Sequence, residues 1–402
     1  MVEKFQEAVM MGLGYIGLPT AALMAKRGVD VLGVDINQNV IDTVNMGRIH
    51  IVEPELAGLV KSVIDSKKLV ASTSPKQADV FLIAVPTPFK EGYVPDTGYV
   101  ESATRMIIPY LREGNLFIIE STSPVFTTEK MAGLIYDKRP ELKGKIFIAY
   151  CPERVLPGNV IFELENNDRV IGGINEESTT AAIAFYSRFV KAELHRTNAR
   201  TAEMCKLVEN SSRDVNIAFA NELSLICEKA GINVWKLISL ANKHPRVNIL
   251  QPGTGVGGHC IAVDPWFIVS DFPEESKIIR NAREINNYKT LWVIEKIKNA
   301  ILEFQKSERR KPRIALMGLA FKPNIDDLRE SPAKFVAEQM LEFKEADCLL
   351  VEPNIKSYGN KELIYYEEAY AQADIVVFLV AHKEFFNLPV KKAELDFCGV
   401  RK

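Results

Sequence analysis

A cysteine follows a glycine-rich stretch in the second half of the chain. The segment 255–264 reads GVGGHCIAVD and places Cys260 directly after two glycines and a histidine. A thiol beside such an open backbone can be reached by a substrate, and neighbouring N–H groups could stabilise a developing negative charge. Asp264 comes four positions later and could orient a base or a water molecule if the segment turns helically. We therefore predict that Cys260 is a reactive thiol. Four other cysteines lack this setting and are predicted to be buried structural thiols: Cys205, Cys227, Cys348 and Cys398.

Three glycines near the N-terminus have the spacing of a dinucleotide-binding turn. Gly12, Gly14 and Gly17 form G-x-G-x-x-G between an apolar strand pattern and a helical pattern. The first glycine permits a tight turn, the second lets the backbone approach a pyrophosphate, and the third allows the helix to pack closely on the strand. The phosphates would then meet the N–H groups at the start of the helix. The next strand ends at Asp35, whose carboxylate can accept hydrogen bonds from ribose hydroxyls and would repel a 2′-phosphate. The pattern predicts NAD rather than NADP.

Two later loops fall where strands of such a fold end. They read VPTP at 85–88 and ESTSP at 120–124. Ligands in open α/β sheets bind at the carboxyl ends of strands. Turns ended by proline would account for the prolines but not for the repeated hydroxyl groups, so we expect both loops to contact the cofactor. The predicted cofactor contacts are Gly12, Gly14, Tyr15, Ile16, Gly17, Asp35, Thr87 and Thr122.

A polar row lies on a long helical pattern in the middle of the chain. Lys206 and Asn210 are four residues apart and Arg213 lies almost one turn further, so their side chains share one face of a helix. A lysine, an amide and an arginine in a row suit an anionic or oxygen-rich ligand. A solvated helix surface would give the same row by chance, and the spacing alone leaves both interpretations open.

Alternating strand and helix patterns indicate the elements that position these groups. Strand patterns occur at 8–11, 29–34, 80–85, 116–119 and 146–149, and again at 313–316, 348–351 and 375–380. Helical patterns occur at 18–27, 199–230, 276–304 and 332–343. The alternation predicts an α/β fold with two Rossmann-like parallel-sheet domains joined by a long central helix. We place the NAD-binding domain at 1–198, a central helical region at 199–306 and a smaller α/β domain at 307–402. The charged run KSERRKPR at 306–313 is expected to be a solvated linker.

The overall composition narrows the functional class. Of 402 residues, 47% are hydrophobic and 25% are charged, and the formal net charge is −2. Such a chain lacks the broad basic surface that phosphate-backbone binding needs, so we expect no nucleic-acid partner. We find no apolar run of about 18 residues and no signal-peptide pattern, and therefore expect no membrane association and a cytoplasmic location. Six cysteines without a CxxC pair favour free thiols, and no metal site is expected.

Four stretches together resemble the UDP-sugar dehydrogenase family. They read GLGYIGLPTA at 12–21, EMCKLVENSSRDVNIAFANE at 203–222 with Lys206 and Asn210, GGHC at 257–260 and FKPNIDDLR at 321–329, and they follow the family's order along nearly the whole chain. The resemblance implies NAD as cofactor and a four-electron oxidation of the sugar's C6 alcohol to a carboxylate. CPERVLPG at 151–158, RDVNIAFANELSLIC at 213–227 and HPRVN at 244–248 resemble the branch that acts on UDP-N-acetyl-D-mannosamine. Specificity for UDP-N-acetylglucosamine or UDP-glucose remains the alternative.

The resemblance also implies chemical roles for the polar residues. Cys260 would be the nucleophile that captures the aldehyde as a thiohemiacetal, whose oxidation gives a thioester. Lys206 would act as acid/base or as electrostatic partner of the C6 oxygen. Asn210 and Asp264 would position that group or a water molecule. Glu153 matches the family carboxylate proposed to activate water for thioester hydrolysis, with the threonine of the ESTSP loop, Thr122, nearby.

The same resemblance implies a substrate site and an oligomer. In relatives Arg246 comes from the neighbouring subunit, which implies a homodimer or higher homo-oligomer built on the central helix, with the UDP-sugar held partly by the C-terminal domain. The implied substrate contacts are Arg154, Val155, Lys206, Asn210, Arg213, His244, Arg246, Gly257, Lys322 and Arg329.

The chain departs from the family pattern at three places. Phe126 stands for the glycine of SPVG, Thr254 for a proline and Ser212 for an aromatic residue. Phe126 could narrow the nicotinamide side of the pocket. Two alternative functions fit the sequence less well. A two-electron hydroxyacid dehydrogenase has no use for the GGHC cysteine, and a non-catalytic NAD-sensing protein would be expected to lack Cys260 or Lys206.

Overall fold

The computed structural model describes residues 5–51, 53–155, 158–258, 260–391 and 393–402. The chain forms two compact units, Met1–Glu209 and Asn210–Lys402. No helix in the described ranges is both long enough and apolar enough to cross a membrane.

An eight-stranded sheet forms the centre of the first unit. Its strands are β1 (Glu7–Met11), β2 (Asp30–Val34), β3 (Leu69–Ser72), β4 (Val80–Ile83), β5 (Leu116–Ile119), β6 (Phe147–Tyr150), β7 (Arg169–Gly173) and β8 (Leu194–Asn198). They lie in the order β3-β2-β1-β4-β5-β6-β7-β8, and all pairs are parallel except β6 with β7. The chain order reverses between β1 and β4, which is the point where doubly wound sheets bind dinucleotides.

Helices cover both faces of this sheet. They are α1 (Gly17–Lys26), α2 (Gln38–Asn45), α3 (Leu56–Asp65), α4 (Gly98–Ile107), α5 (Thr127–Lys138), α6 (Val160–Asn166) and α7 (Glu176–Tyr186). Alternate residues of β1 enter opposite apolar layers, with Ala8 and Met10 in one and Val9 and Met11 in the other. All four are buried, as expected for a parallel sheet with both faces covered.

Helix α8 (Ala199–Ala230) has the bounds that the sequence predicts. Gly231 follows it with φ of 69°, and the N–H of Ile232 donates to the carbonyl of Cys227 at 2.8 Å. Glycine adopts this left-handed conformation at little cost, so the helix ends there.

The second unit combines helices with a four-stranded parallel sheet, which confirms the predicted α/β class. After the C-terminal part of α8 come α9 (Val234–Ala241), α10 (Asp264–Asp271), α11 (Lys277–Glu308), α12 (Pro332–Glu342) and α13 (Tyr366–Gln372). The strands are β9 (Arg313–Met317), β10 (Asp347–Val351), β11 (Ile375–Phe378) and β12 (Glu394–Asp396), in the order β10-β9-β11-β12. Within this unit a buried ion pair joins α8 to α11, because Arg283 Nη1 lies 2.7 Å from Asp214 Oδ1.

The predicted solvated linker at 306–313 is confirmed only in part, because residues 309–312 alone connect the two flanking elements. Helix α11 continues to Glu308, and Arg313 already belongs to β9. Arg310 makes a two-pronged ion pair with Asp374, at 2.6 and 2.8 Å. Lysine and glutamate have high helix propensity and are also common in exposed loops. A charged composition therefore does not distinguish an exposed helix end from a linker.

Candidate active site

The glycine turn lies between β1 and α1. Gly12 has φ of 93°, and a Cβ there would lie 2.5 Å from the backbone oxygen of Ala84. A Cβ on Gly17 would lie 1.9 Å from the Gly12 carbonyl oxygen. Among the described residues, no heavy atom lies within 4 Å of the position a Gly14 Cβ would take. Packing therefore accounts for Gly12 and Gly17, whereas Gly14 borders open space where a phosphate can approach the backbone.

Asp35 follows β2 and holds this turn through its carboxylate. Its Oδ2 accepts a hydrogen bond from the N–H of Leu13 at 3.0 Å, and its Oδ1 accepts one from the N–H of Asn37 at 2.9 Å. Each carboxylate oxygen can accept more than one hydrogen bond, so capacity remains for ribose hydroxyls. Ile16, the N-cap residue of α1, makes no side-chain cap, and Tyr15 is exposed. The start of α1 thus has the features of a phosphate-binding helix N-terminus.

Hydroxyl groups join the loops that follow β4 and β5. Thr87 Oγ1 donates to the Thr122 carbonyl at 2.5 Å, and Ser121 Oγ accepts from the N–H of Val85 at 2.9 Å. The repeated hydroxyls therefore tie the two loops together, a structural use that the sequence interpretation missed. The Thr122 side chain is half-buried. Contact of Thr87 and Thr122 with the cofactor stays a prediction.

Glu153 lies just after β6 in a buried ion pair. Its Oε2 is 2.8 Å from Nη1 of Arg169, and both side chains are nearly inaccessible, with residue exposures of 7% and 1%. Its Oε1 accepts a hydrogen bond from the N–H of Arg154 at 2.6 Å. The carboxylate is thereby fixed in one orientation. Arg169, which the sequence analysis did not single out, is its principal partner.

A second acid lies in the same buried cluster. Tyr186 donates to Glu120 Oε1 at 2.5 Å, while Glu120 Oε2 has no hydrogen-bond partner among the described atoms. Burial raises the pKa of Glu120 to about 7, although the positive charge of Arg169 opposes the rise. Burial likewise raises the pKa of the Cys151 thiol to about 12. The spacing of these residues along the chain has no local period, so no sequence pattern pointed to them.

In the second unit, Cys260 is the exposed cysteine among those described. The N–H of Asp264 donates to the Cys260 carbonyl at 2.8 Å, so the segment turns helically, the condition under which Asp264 could orient a base or a water molecule. Asp264 is buried at the start of α10, and its Oδ2 accepts a hydrogen bond from the Asn210 amide at 2.6 Å. His259, between the glycines and the thiol, lies outside the described residues. The structure thus brings together three of the predicted catalytic residues.

The remaining cysteines differ in burial. Cys227 is buried as predicted, but Cys205, Cys348 and Cys398 are only half-buried, so that part of the prediction was wrong. Burial nevertheless raises the pKa of these three thiols, and that of Cys348 to about 11. Such thiols are poorer nucleophiles at neutral pH than an ordinary exposed one.

The polar row on α8 is only partly solvated. Lys206 and Asn210 are half-buried and Arg213 is exposed. The amide of Asn210 is engaged by Asp264, so this side chain has a specific partner and is not part of a plain solvated face.

Arg154 and Val155 follow Glu153 in the first unit. The Arg154 guanidinium lies 2.7 Å from Glu209 and donates to the carbonyl of Asp168 at 3.2 Å. Val155 is half-buried against the apolar core. Contact of either residue with the substrate stays a prediction. Arg154 would have to bind the substrate and Glu209 with the same guanidinium group.

Two loops of the second unit pack on each other. A Cβ on Gly257 would lie 2.3 Å from the Glu330 carbonyl and 2.9 Å from Phe321 Cβ. The N–H of Gly258 donates to the Arg329 carbonyl at 3.2 Å. Close approach therefore requires glycine in the GGHC loop. It also places Gly257 beside the loop that carries the exposed Lys322 and Arg329.

Two further predicted substrate residues lie on an exposed segment after α9. His244 and Arg246 are both exposed, and His244 Nδ1 accepts a hydrogen bond from the Arg246 N–H at 3.3 Å. Of the departures from the family pattern, Ser212 is exposed, whereas Thr254 is buried and donates to the Leu379 carbonyl at 2.6 Å. A threonine is thus accommodated where relatives have proline.

A buried histidine supports the loop that carries Lys322 and Arg329. His382 Nδ1 accepts a hydrogen bond from the N–H of Asn324 at 3.0 Å, and His382 Nε2 lies 3.0 Å from Glu352 Oε2. Glu352 in turn accepts from the N–H groups of Leu319 and Ala320, at 2.8 and 2.9 Å. The sequence analysis missed both residues, because they follow different strands and share no motif.

Three domain models of one family match the chain. The NAD binding domain of the UDP-glucose/GDP-mannose dehydrogenase family matches residues 6–190, the central domain matches 200–288 and the UDP binding domain matches 315–396. The chain belongs to this family. The family resemblance and NAD as cofactor are therefore confirmed, and the glycine turn and Asp35 lie inside the matched NAD-binding domain.

Individual relatives span nearly the whole chain. A UDP-N-acetyl-D-mannosamine dehydrogenase of Escherichia coli K12 is 55% identical over 95% of this chain and 95% of its own length. An NDP-N-acetyl-D-galactosaminuronic acid dehydrogenase of Ralstonia nicotianae is 51% identical over 97% of this chain and 94% of its own. A solved UDP-D-ManNAc dehydrogenase from Pyrococcus horikoshii shares 38% identity with a TM-score of 0.88, covering 98% of this chain and 96% of that one. The prediction of an NAD-dependent dehydrogenase is confirmed.

Proposed function

We propose that the chain oxidises the C6 alcohol of UDP-N-acetyl-D-mannosamine to the carboxylate in two successive oxidations. The observation that carries the proposal is the exposed Cys260, whose backbone carbonyl accepts a hydrogen bond from the N–H of Asp264, the partner of Asn210. A dehydrogenase that makes only one oxidation has no need of such a thiol. A thiol becomes useful when an aldehyde must be held and oxidised again. The substrate is the one named for the Escherichia coli and Pyrococcus horikoshii relatives.

The proposed steps give Lys206 and Cys260 different roles. Lys206 takes the proton of the C6 hydroxyl as the first hydride leaves. Cys260 Sγ releases its proton to solvent and adds to the aldehyde carbon, and the aldehyde oxygen takes the proton held by Lys206 and becomes a hydroxyl. Bound NAD⁺ supplies the hydride acceptor for each oxidation. In the second oxidation Lys206 takes the hydroxyl proton as the hydride leaves, which gives a thioester on Cys260. Attack by water breaks the C–S bond and releases the carboxylate, with one water proton restoring the thiol and the other passing to solvent.

Glu153 is proposed to orient the water for thioester hydrolysis. Its ion pair with Arg169 and its hydrogen bond from the Arg154 N–H support a carboxylate held in one position. Each oxygen keeps a further lone pair that can accept a hydrogen bond from water. An oriented acceptor lowers the cost of placing water against the thioester carbon.

A panel of nucleotide sugars tests the proposal. The purified protein and NAD⁺ are mixed with UDP-N-acetylmannosamine, UDP-N-acetylglucosamine, UDP-N-acetylgalactosamine or UDP-glucose. We expect the highest kcat/KM with UDP-N-acetylmannosamine and two NADH for each sugar consumed. One NADH with release of free aldehyde would contradict the mechanism. A higher kcat/KM with another sugar would assign a sibling specificity, and the Ralstonia relative makes the galacto-configured sugar the sharpest competitor.

We further propose a homodimer in which Arg246 contributes to the partner's substrate site. Exposed apolar side chains on α8, on α9 and between them support an interface on this part of the second unit: Phe219, Ile226, Ile232 and Leu240. The catalytic use of an exposed thiol also requires reducing conditions, which supports a cytoplasmic location.

A further inference from the structure

Helix α8 carries a buried carboxylate that none of the proposed steps uses. Glu203 is three residues before Lys206 and has an exposure of 0%. Its Oε2 accepts a hydrogen bond from the N–H of Phe126 at 2.8 Å. Its Oε1 accepts two, from the N–H and the hydroxyl of Thr128, both at 2.7 Å. All three donors belong to the start of α5, so one side chain of α8 binds the N-terminus of another helix.

Phe126 is held in a strained conformation at this point. It has φ of 74° and ψ of 0°, the left-handed region, and stands where the family pattern has glycine. For a non-glycine residue this conformation is unfavourable and persists only where the surroundings impose it. Two groups of α8 surround Phe126, because Glu203 accepts from its N–H and the Arg200 guanidinium carbon lies 4.9 Å from its ring centroid.

The loop between β5 and α5 is therefore fixed at both ends. At its start, Ser121 is hydrogen-bonded to the backbone of Val85. At its end, Phe126 and Thr128 are bound by Glu203. Thr122 lies between these two attachments. The attachment at the end of the loop is made by Glu203 of α8. The same helix carries Lys206, three residues after Glu203.

Capping of α5 alone does not require this arrangement. A serine or aspartate at the N-cap position would cap the helix locally, whereas Phe126 provides no side-chain cap. Burial raises the pKa of Glu203 to about 7, against the effect of its hydrogen bonds, so an ionised carboxylate is unfavourable here without its donors. What the buried acid adds is a fixed link between the loop and α8.

We propose that Glu203 is a positioning residue that fixes the loop segment 121–126, with Thr122, relative to Lys206. The inference rests on the proposed function, because that function assigns Lys206 to the reaction, and on the prediction that Thr122 contacts the cofactor. Glu203 itself touches neither substrate nor cofactor in this scheme. Glu203 acts by holding the loop that carries Thr122 against α8, the helix that carries Lys206.

The test compares two variants that sever links between the same two helices. Glu203→Gln keeps the side-chain size but replaces one acceptor oxygen with an N–H donor, so it must lose at least one of the three bonds. We expect kcat to fall by on the order of 10-fold to 100-fold, with a smaller change in the KM for NAD⁺. Glu129→Gln is the matched control, because Glu129 joins Arg200 of α8 at 2.8 Å but on the exposed surface. We expect the control to change kcat by less than about 2-fold.

Two rescue variants separate positioning from general stability. Phe126→Gly in the Glu203→Gln background should recover part of kcat, because glycine takes the left-handed conformation without strain. Thr128→Ser should retain kcat and Thr128→Val should lower it, since only serine keeps the hydroxyl donor. If Glu203→Gln lowers the unfolding temperature but leaves kcat within about 2-fold of the unmodified protein, Glu203 is only a helix cap and the proposal is wrong. An equal loss of kcat in Glu203→Gln and Glu129→Gln would also overturn it.

Hydrogen exchange of the segment 120–138 distinguishes failure of this inference from failure of the proposed function. The measurement needs no turnover. Faster exchange in Glu203→Gln than in Glu129→Gln supports the anchoring even if the unmodified protein makes no NADH from any UDP-sugar. Equal exchange in both variants and the unmodified protein overturns the anchoring, whatever the substrate.

Discussion

Asp35 Oδ2 accepts a hydrogen bond from the backbone N–H of Leu13 at 3.0 Å. Glu352 Oε2 makes the corresponding bond with Leu319 in the second unit, at 2.8 Å. In each case an acid after one strand holds the turn that follows its parallel neighbour. The two acids differ in what else they bind. Burial raises the pKa of Glu352, but the hydrogen bond from His382 outweighs this effect and lowers the pKa to about 2. The Glu352 carboxylate is therefore ionised and used in hydrogen bonds within the protein. Asp35 has no histidine partner in the described structure and keeps capacity for a ribose.

The first prediction concerns the choice between NAD⁺ and NADP⁺. We expect kcat/KM for NAD⁺ to exceed that for NADP⁺ by at least about 10-fold, because a carboxylate facing a 2′-phosphate costs on the order of 1–3 kcal/mol. Asp35→Asn should narrow the ratio, since it removes the charge but keeps a carbonyl oxygen that can accept from Leu13. Initial rates with both cofactors measure this.

Asp35→Ala serves as the comparison. It removes both the charge and the support of the turn, so it should weaken binding of both cofactors. Equal use of NAD⁺ and NADP⁺ by the unmodified protein would rule out the ribose assignment of Asp35.

Local patterns account for the parts of the fold that the sequence predicts well. The glycine turn follows from steric limits at Gly12 and Gly17, where a Cβ would meet backbone atoms. Helix α8 follows from 32 residues without glycine or proline, ended by a glycine. Each of these features is decided within a few residues.

Features decided by distant residues were not predictable in this way. Strand β8 reads LHRTN and is largely exposed at the edge of the sheet, so it has no apolar signature. Arg169 is 16 residues from its partner Glu153, and Tyr186 is 66 from Glu120. The hydrogen bonds of Thr87 and Ser121 to a neighbouring loop could not be predicted, because the two loops are adjacent only once the strands are paired.

The second prediction concerns a buried lysine on α11. Lys289 has an exposure of 2%, and its amine donates to Ser224 at 2.8 Å and lies 4.0 Å from the centroid of the Trp292 ring. Burial lowers the pKa of Lys289 from 10.5 to about 7. Between these two values the unfolded chain binds a proton that the folded chain does not. The free energy of unfolding should therefore rise with pH from about 7 to about 10.5, with a slope of up to about 1.4 kcal/mol per pH unit.

Lys289→Met isolates this contribution. Methionine fills a similar volume without a charge, so the variant should lack this slope. Its free energy of unfolding should exceed that of the unmodified protein by the largest amount below pH 7. Urea unfolding at several pH values gives the difference from the unmodified protein. Lys298→Met, on the same helix but partly exposed, is the control and should leave the slope in place. Parallel pH dependences for the Lys289 variant and the unmodified protein would show that the buried amine does not titrate in this range.

The third prediction tests the shared site of the proposed dimer. Arg246→Ala and Cys260→Ser chains should each be inactive alone. A mixed dimer would contain one site with both residues intact, so co-assembled chains should regain up to about half the activity per heterodimer if sites act independently. Differently tagged chains, purified in tandem, allow the heterodimer to be assayed by itself. No recovery in a verified heterodimer would place Arg246 in the site of its own subunit.

The last prediction separates the roles of Cys260 and Glu153. Cys260→Ala should lose the overall reaction, because no covalent intermediate can form for the second oxidation. Glu153→Gln should leave the oxidations largely intact and slow the hydrolysis. With saturating UDP-N-acetylmannosamine and NAD⁺ it should give a burst of up to about two NADH per site, followed by a slow steady state. Intact-mass analysis should show the sugar nucleotide attached, and peptide mapping should place it on Cys260. Because the change leaves Arg169 buried without its carboxylate, thermal unfolding is measured alongside to establish that the variant is folded. If the first turnover of a folded variant slows as much as later ones and no adduct accumulates, Glu153 positions the substrate and another group orients the water.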